Sequence, residues 1–205
     1  MVQDKKKKLK PKEKNFLNKY NIKWVIAISM GTFIMAIVFS IISESIMRNV
    51  EITVAFITLL VIVFIGVTFD AIGIAVAAAN EKPFHAMAAN SIPEGKYGSR
   101  LVRNASPVSN FCNDVIGDIC GIISGAAGTI IVLKLVNIYG FSQGTVLSIV
   151  FSSFIAALTV GGKAFGKEIA LKNSREIVFY TAKVVMLLDM KLGINVIPEM
   201  KRKKK

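Results

Sequence analysis

Four long uncharged stretches constrain the fold of this chain more than any other feature. No Asp, Glu, Lys or Arg occurs within residues 24–43, 52–69, 119–133 or 135–162. A transmembrane helix needs about 20 predominantly apolar residues, because the hydrocarbon core of a bilayer is about 30 Å thick. The sequence therefore predicts an all-α membrane protein with four transmembrane helices, at about 22–43, 50–79, 107–133 and 144–163.

Basic residues fall on one side of this predicted topology. Of the 26 Lys and Arg residues, all except Arg48 and Lys134 lie before the first span or at its start, between the second and third, or at the end of the fourth or after it. Cytoplasmic segments of membrane proteins carry an excess of Lys and Arg, so both termini are predicted to be cytoplasmic. We expect a multi-pass protein of the plasma membrane. The net charge of +13 then reflects orientation in the bilayer rather than nucleic-acid binding.

The segments outside the spans are predicted to be tails and short helices around one helical transmembrane domain, residues 21–192. Residues 1–20 and 193–205 are basic tails expected to lie on anionic lipid, where each basic residue contributes about 1 kcal/mol. A topology signal alone is the alternative for the first tail. Residues 81–105 are predicted to form two short cytoplasmic helices, split at Ser91–Pro93.

Two regions are expected to depart from a simple straight helix. The second span is longer than the hydrocarbon requires, so it either tilts or breaks near Asp70, which has Gly66 and Gly73 on either side. Residues 164–192 are predicted to form a juxtamembrane helix with one apolar face. Ser174 is a good N-cap residue and is expected to start a second helical piece within it.

The third span carries polar side chains where a membrane helix rarely has them. Asp114 and Asp118 are four residues apart, as are Ser109 and Asn113, so each pair is predicted to lie on one helix face. Charged groups inside a bilayer are energetically unfavourable, which makes them candidates for function. Structural pairing with Lys or with backbone groups is the alternative.

Small residues in the third span predict close helix packing. Gly117, Gly121 and Gly125 repeat every four residues, a pattern that lets another helix approach closely. The two cysteines of this helix lie about 12 Å apart at 1.5 Å per residue and cannot pair with each other. His85, the single histidine, is expected to be a packing or surface residue. Because no nucleophile and base are paired, an enzyme is not predicted.

Several segments follow the order of a known family. Residues 162–178, GKAFGKEIALKNSREIV, are similar to G-E-x-x-P-K-x-x-A, with matches at Gly162, Lys167 and Ala170. Residues 70–80, DAIGIAVAAAN, are similar to S-G-S-E-T-A-L-x-S-L-N at two positions. The segments SNFCND, residues 109–114, and EGKYGSRLVRN, residues 94–104, are also similar to segments of this family and occur in the same order along the chain. Together they resemble the transmembrane domain of the cyclin M / CorB–CorC magnesium transporters.

The resemblance implies a homodimer in which a cytoplasm-facing acidic cavity holds magnesium. The corresponding positions carry Asp70, Ser109, Asn113 or Asp114, and Lys163. Lys163 stands where the family has a glutamate.

Four ionisable side chains are expected to meet in the cytoplasmic half of the bundle: Asp70, Asp114, Asp118 and Lys163. If all are ionised their net charge is −2, which one divalent cation would balance. Mg²⁺ favours oxygen ligands and retains several waters, so we expect it to be bound by Asp70, Asn113 and Asp114. The full set of predicted cavity residues is Asp70, Ser109, Asn113, Asp114 and Asp118.

The competing arrangement places the Lys163 ammonium where the cation would be, in a salt bridge with Asp70 or Asp114. The predicted function is therefore that of a magnesium or other divalent-cation transporter domain. The alternative is a non-transporting membrane scaffold or subunit in which Lys163 replaces the cation. A built-in ammonium is also compatible with a proton-coupled carrier.

Overall fold

The computed structural model describes residues 22–139 and 144–192, and every regular element within these ranges is helical. In chain order the elements are α1 (Ile22–Asn49), α2 (Ile52–Ala78), α3 (Lys82–Ala89), α4 (Pro93–Arg103), α5 (Ala105–Asn110), a π-helix (Phe111–Gly117), α6 (Asp118–Tyr139), α7 (Gly144–Lys172) and α8 (Ser174–Leu192). The predicted tails, 1–20 and 193–205, lie outside the described residues, and with them the expected contacts to anionic lipid.

Four helical segments are long and apolar enough to cross a membrane, which confirms the predicted all-α class and number of spans. They are Val25–Asn49, Ile52–Ala78, Ala105–Ile138 and Thr145–Lys172. Their mean hydropathy lies between 1.9 and 2.8. We refer to them as the four candidate spans.

Helix boundaries differ from the sequence-based expectation at α2 and α7. α2 runs unbroken past Asp70. The sequence predicted either a tilt or a break there, and the break does not occur. α7 continues through Gly161–Gly162 to Lys172, and only then does α8 begin, at the expected Ser174. Residues 164–192 are therefore not one juxtamembrane helix, because their first part extends the fourth candidate span. In this continuous helix Gly162 packs closely on α2, since a Cβ there would lie 2.9 Å from Val67.

α2 packs on α5, the π-helix, α6, α7 and α8. Its first half contributes to an apolar cluster formed by Met47, Ala55, Leu59, Val63, Ala127, Ile131 and Ile155. Its last turns contribute to a second cluster, formed by Ala75, Val76, Phe84, Leu101, Ala170, Val178 and Ala182. Asp70 lies on α2 between the residues that enter these two clusters.

Residues up to Ile37 form a separate unit, and residues from Val38 onward form the other. In the first unit the apolar side chains of α1 between Val25 and Ile37 are mostly exposed, including Met30 and Phe33. Such a face is suited to lipid tails rather than to water.

α3 and α4 are the two short helices predicted between residues 81 and 105. They are separated by Ser91, whose φ of 60° places it in the left-handed region, and by Ile92 in extended conformation before Pro93. A proline disfavours helical backbone in the residue before it, which ends one helix and lets the next begin. Phe84 of α3 is fully buried, and Gly98 of α4 makes room for its ring, because a Cβ there would overlap Phe84 Cδ1.

Candidate functional site

Two carboxylates meet one ammonium between three different candidate spans. Lys163 of α7 places its Nζ 3.8 Å from Oδ1 of Asp70, on α2, and 3.3 Å from Oδ1 of Asp118, the first residue of α6. Lys163 also donates a hydrogen bond to Asp118. We call Asp70, Asp118 and Lys163 the charge triad. Its net charge is −1 when all three groups are ionised.

Glycines bring the helices of the charge triad close together. A Cβ on Gly117, at the end of the π-helix, would lie 3.4 Å from Asp70 Oδ1 and 3.5 Å from Lys163 Nζ. On α7, Gly162 and Gly166 lie on either side of Lys163 and both face Val67. The distances at Gly117 are ordinary van der Waals contacts, whereas the absence of side chains at Gly162 and Gly166 lets α7 approach α2 closely at Val67, one turn before Asp70.

The three members of the charge triad differ in how far the protein covers them. The side chain of Asp70 is 14% exposed and that of Lys163 is 25% exposed, whereas Asp118 is 65% exposed. Asp70 and Lys163 therefore form the inner, enclosed pair, and Asp118 approaches the ammonium from the open side. Enclosed charges at membrane depth must be paired, protonated or bound to an ion, and here the ammonium supplies the pairing.

The π-helix decides which carboxylate of the third candidate span reaches Lys163. In an uninterrupted α-helix, Asp114 and Asp118 would lie on one face. Residues Phe111–Gly117 instead form a π-helix, whose wider turn changes the angular relation between the two positions. Asp118 contacts Lys163, while Asp114 is exposed and makes no ion pair or hydrogen bond with any described residue. The expected pairing of Lys163 with Asp70 is present, and the one with Asp114 is not.

Asn113 of the π-helix packs against α2 at Gly73, and it is hydrogen-bonded to Ser109 of α5. Asn113 Nδ2 donates a hydrogen bond of 3.3 Å to Ser109 Oγ. Asn113 Oδ1 is buried against Gly73 and has no hydrogen-bond partner in the described part of the chain. Because Gly73 is three residues after Asp70, the two positions share a face of α2. A buried amide oxygen without a donor is a ligand of the type that hard cations take.

The predicted metal ligands are only partly gathered. Asn113 packs on α2 at Gly73, three residues after Asp70. Within the described residues, no group of three His, Cys, Asp or Glu side chains is placed to hold a metal ion. Any cation at this position would rely on Asp70 and Asp118, with uncharged oxygen donors and water completing its coordination. Magnesium binding by Asp70, Asn113 and Asp114 stays a prediction.

Of the three glycines predicted to pack helices together, only Gly117 has atoms of another helix within 4 Å of an added Cβ. Gly117 is at the charge triad, but a Cβ on Gly121 or Gly125 would meet nothing within 4 Å. Close approach occurs instead on α2, where a Cβ on Gly66 would lie 2.8 Å from Cys120 Cβ and one on Gly73 would overlap Asn113 Oδ1. Gly66 and Gly73 are seven residues apart, two helical turns, so spacing along α2 could have indicated this face.

A second polar cluster joins α3 to α4. Oε1 of Glu81 accepts hydrogen bonds from Ser99 Oγ at 3.0 Å and from Arg103 Nε, and it lies 2.7 Å from His85 Nε2. Burial raises the pKa of the Glu81 carboxyl, but the Arg103 and Ser99 hydrogen bonds and the neighbouring positive charge outweigh it and hold that pKa below its usual value. His85 thus belongs to an ion-paired cluster.

Replacing Glu81 by Gln is expected to lower stability at about pH 7 and to have little effect well below pH 4.5. The folded-state pKa of Glu81 is below its ordinary 4.5, so the stabilisation is complete above pH 4.5 and is lost as the pH falls through the folded-state pKa. The effect is measured as the difference in unfolding temperature between the wild type and Glu81→Gln, in neutral detergent at about pH 7 and again well below pH 4.5. A gap in unfolding temperature that is equal at both pH values would contradict it.

Comparisons with protein-family models, with curated proteins and with solved structures found no match. The resemblance to the cyclin M / CorB–CorC magnesium transporters therefore stays a prediction made from the sequence.

Proposed function

We propose that this protein is a cation-transport domain in which the Lys163 ammonium and a transported cation alternate as the counter-ion of Asp70 and Asp118. The observation that carries the proposal is the position of that ammonium, 3.8 Å and 3.3 Å from carboxylates that other candidate spans contribute. Ionisable groups at membrane depth commonly mark ion or proton pathways. A charged side chain that can withdraw from two carboxylates leaves them free for a cation.

Charge and donor chemistry favour a divalent substrate, with Mg²⁺ as the first candidate. Without the ammonium, Asp70 and Asp118 carry a net charge of −2, which one divalent ion balances. Asn113 Oδ1, which is buried against Gly73 of α2, is an oxygen of the kind that Mg²⁺ takes as a ligand. The ammonium and the cation are alternative counter-ions of the same two carboxylates, so cation binding requires the Lys163 side chain to move away from them.

We base the proposed membrane location, topology and assembly on the charge distribution and on the resemblance to the magnesium transporters. The protein is a multi-pass protein of the plasma membrane with both termini cytoplasmic, because Lys and Arg are concentrated in the connections on that side. It assembles as a homodimer, for which Gly121 and Gly125 offer an unoccupied close-approach surface. The basic tails rest on anionic lipid.

A non-transporting scaffold is the second candidate. The same geometry supports it, since Lys163 already pairs with both carboxylates and the surrounding glycines hold the helices in contact. In that case the ammonium never leaves, and no cation takes its place.

Asp70→Asn is expected to reduce Mg²⁺ flux by about tenfold or more, the equivalent of about 1.4 kcal/mol in the binding step. The substitution removes the enclosed carboxylate while keeping the shape of the side chain. Flux is measured in proteoliposomes that contain a magnesium-sensitive dye. Lys163→Gln is expected to tighten the apparent affinity for Mg²⁺, because the competing ammonium is gone.

The matched control for Lys163→Gln is Lys183→Gln, which removes the same charge from an exposed position on α8. It should transport like the wild type. Wild-type protein that moves none of Mg²⁺, Ca²⁺, Mn²⁺, Na⁺ or K⁺ above empty liposomes would overturn the transport proposal and leave the scaffold. Normal Mg²⁺ flux through Asp70→Asn would overturn the role of the charge triad.

A further inference from the structure

A basic pocket opens between α3 and α4, apart from the charge triad. It has a volume of about 300 Å³ and is lined by His85, Ala88, Lys96, Ser99, Arg100, Arg103 and Asn104. Pockets of this size are at the small end of those that hold small ligands. None of the lining residues belongs to the charge triad.

The basic side chains of the pocket come from one face of α4. Lys96, Arg100 and Arg103 follow the spacing that places residues on the same side of a helix. The floor is polar and buried, since Ser99 is 6% exposed and Asn104 is 7% exposed. The wall of the pocket is thus cationic. The side chains of its floor are uncharged and already donate hydrogen bonds within the protein, Ser99 Oγ to Glu81 and Asn104 Nδ2 to the Arg100 carbonyl.

Contacts within α4 and from α4 to α8 hold the lining residues in place. The Arg100 guanidinium lies 5.6 Å from the centre of the Tyr97 ring, and Tyr97 donates a hydrogen bond of 2.6 Å to Asp189 of α8. Asn104 Nδ2 donates to the backbone carbonyl of Arg100. These contacts fix α4 against α8, so the cationic wall is preorganised rather than assembled by the ligand.

The charge of the pocket favours an anion. Lys96, Arg100 and Arg103 bring three positive charges, and Glu81, which holds Arg103 and Ser99 at the pocket edge, brings one negative charge. Guanidinium groups bind phosphate oxygens in a forked, bidentate manner, and a lysine adds a point charge.

The location adds a second reason for a phosphate. α4 leads directly into the third candidate span, which starts at Ala105, and α3 follows the second candidate span, which ends at Ala78. The pocket therefore lies beside the ends of two spans, at the level where lipid headgroups are found. Basic pockets in this position bind phosphate-bearing headgroups.

We propose that the pocket between α3 and α4 binds a phosphate group, carried either by an anionic lipid headgroup or by a soluble phosphate. Lys96, Arg100 and Arg103 are its cationic contacts, and Ser99 and Asn104 form its floor.

The test uses the full chain in neutral detergent and two probes, inorganic phosphate and phosphatidylglycerol in mixed micelles. Ligand-induced shifts in unfolding temperature give the affinity, and native mass spectrometry counts retained lipid. Lys96→Gln and Arg100→Gln are each expected to weaken binding about fivefold, the change for one basic residue near a charged ligand surface. Because Lys96 is an exposed residue on a helix surface, its replacement by Gln leaves the fold intact.

Lys82→Gln is the matched control, because it removes the same charge from α3 at a residue that does not line the pocket. It should bind like the wild type. Stabilisation by phosphatidylglycerol alone identifies a lipid headgroup, and stabilisation by inorganic phosphate identifies a soluble phosphate. The proposal is overturned if neither probe stabilises the wild type, or if Lys82→Gln weakens binding as much as Lys96→Gln does.

Discussion

Lys163→Met is expected to destabilise the folded protein by about 3 kcal/mol, the low end of the range for breaking an enclosed ion pair. The substitution leaves the Asp70 carboxylate, 14% exposed, without its counter-ion and beside the negative charge of Asp118. Asp118 is open to its surroundings, which is why the low end applies. The free energy of unfolding, from denaturant titration in neutral detergent, is the measurement.

A double substitution separates charge from packing. Lys163→Met combined with Asp70→Asn removes both members of the inner pair, so most of the lost stability should return, because no enclosed charge remains unpaired. Lys183→Met is the control for loss of an exposed lysine, and it should change stability by less than about 0.5 kcal/mol. If the double variant were no more stable than Lys163→Met, the ion pair would not be the source of the effect.

Gly95→Ala is expected to destabilise the protein by about 2–3 kcal/mol, towards the upper end for overpacking. A Cβ on Gly95 would lie 2.5 Å from the backbone N of Ala88 and 2.7 Å from Met87 Cβ. Backbone atoms cannot rotate away as a flexible side chain can, so α3 and α4 must move apart. Loss of unfolding free energy in neutral detergent measures the effect.

Gly121→Ala is the matched control for Gly95→Ala. The same methyl group is added within a helix, but nothing lies within 4 Å of it, so the gain in helix propensity should stabilise the protein by up to about 1 kcal/mol. A loss of about 2 kcal/mol or more for Gly121→Ala in the monomer, or none for Gly95→Ala, would contradict the assigned packing. In the proposed homodimer, Gly121→Ala should weaken self-association instead, which analytical ultracentrifugation separates from unfolding.

Properties set by short stretches of chain could be predicted from the sequence. The uncharged runs located all four candidate spans, Ser91–Pro93 separated α3 from α4, and Ser174 marked the start of α8. Each of these depends on local hydrophobicity, backbone preference or capping. Residue order alone is enough for such features, since no distant part of the chain has to be placed.

The charge triad shows where prediction from the sequence was incomplete. Asp70, Asp118 and Lys163 were all expected near one another, and Lys163 was expected to contact Asp70 or Asp114. Asp114 was placed beside Asp118 because α-helical spacing was assumed throughout the third span. The π-helix at Phe111–Gly117 changes that spacing, and hydrophobic periodicity gives no sign of it.

The sequence by itself determined how many helices are long and apolar enough to span a membrane, where most of them begin and end within a few residues, and which charges they carry. Only the tertiary structure decided that Asp118 rather than Asp114 meets Lys163, that Gly66 and Gly73 are contact positions while Gly121 and Gly125 are not, and that α7 continues through its glycines. The physical reason is that the apolar length of a helix is a local property. Which side chains meet depends on how each helix is rotated about its own axis, and one wider turn or one close contact changes that rotation.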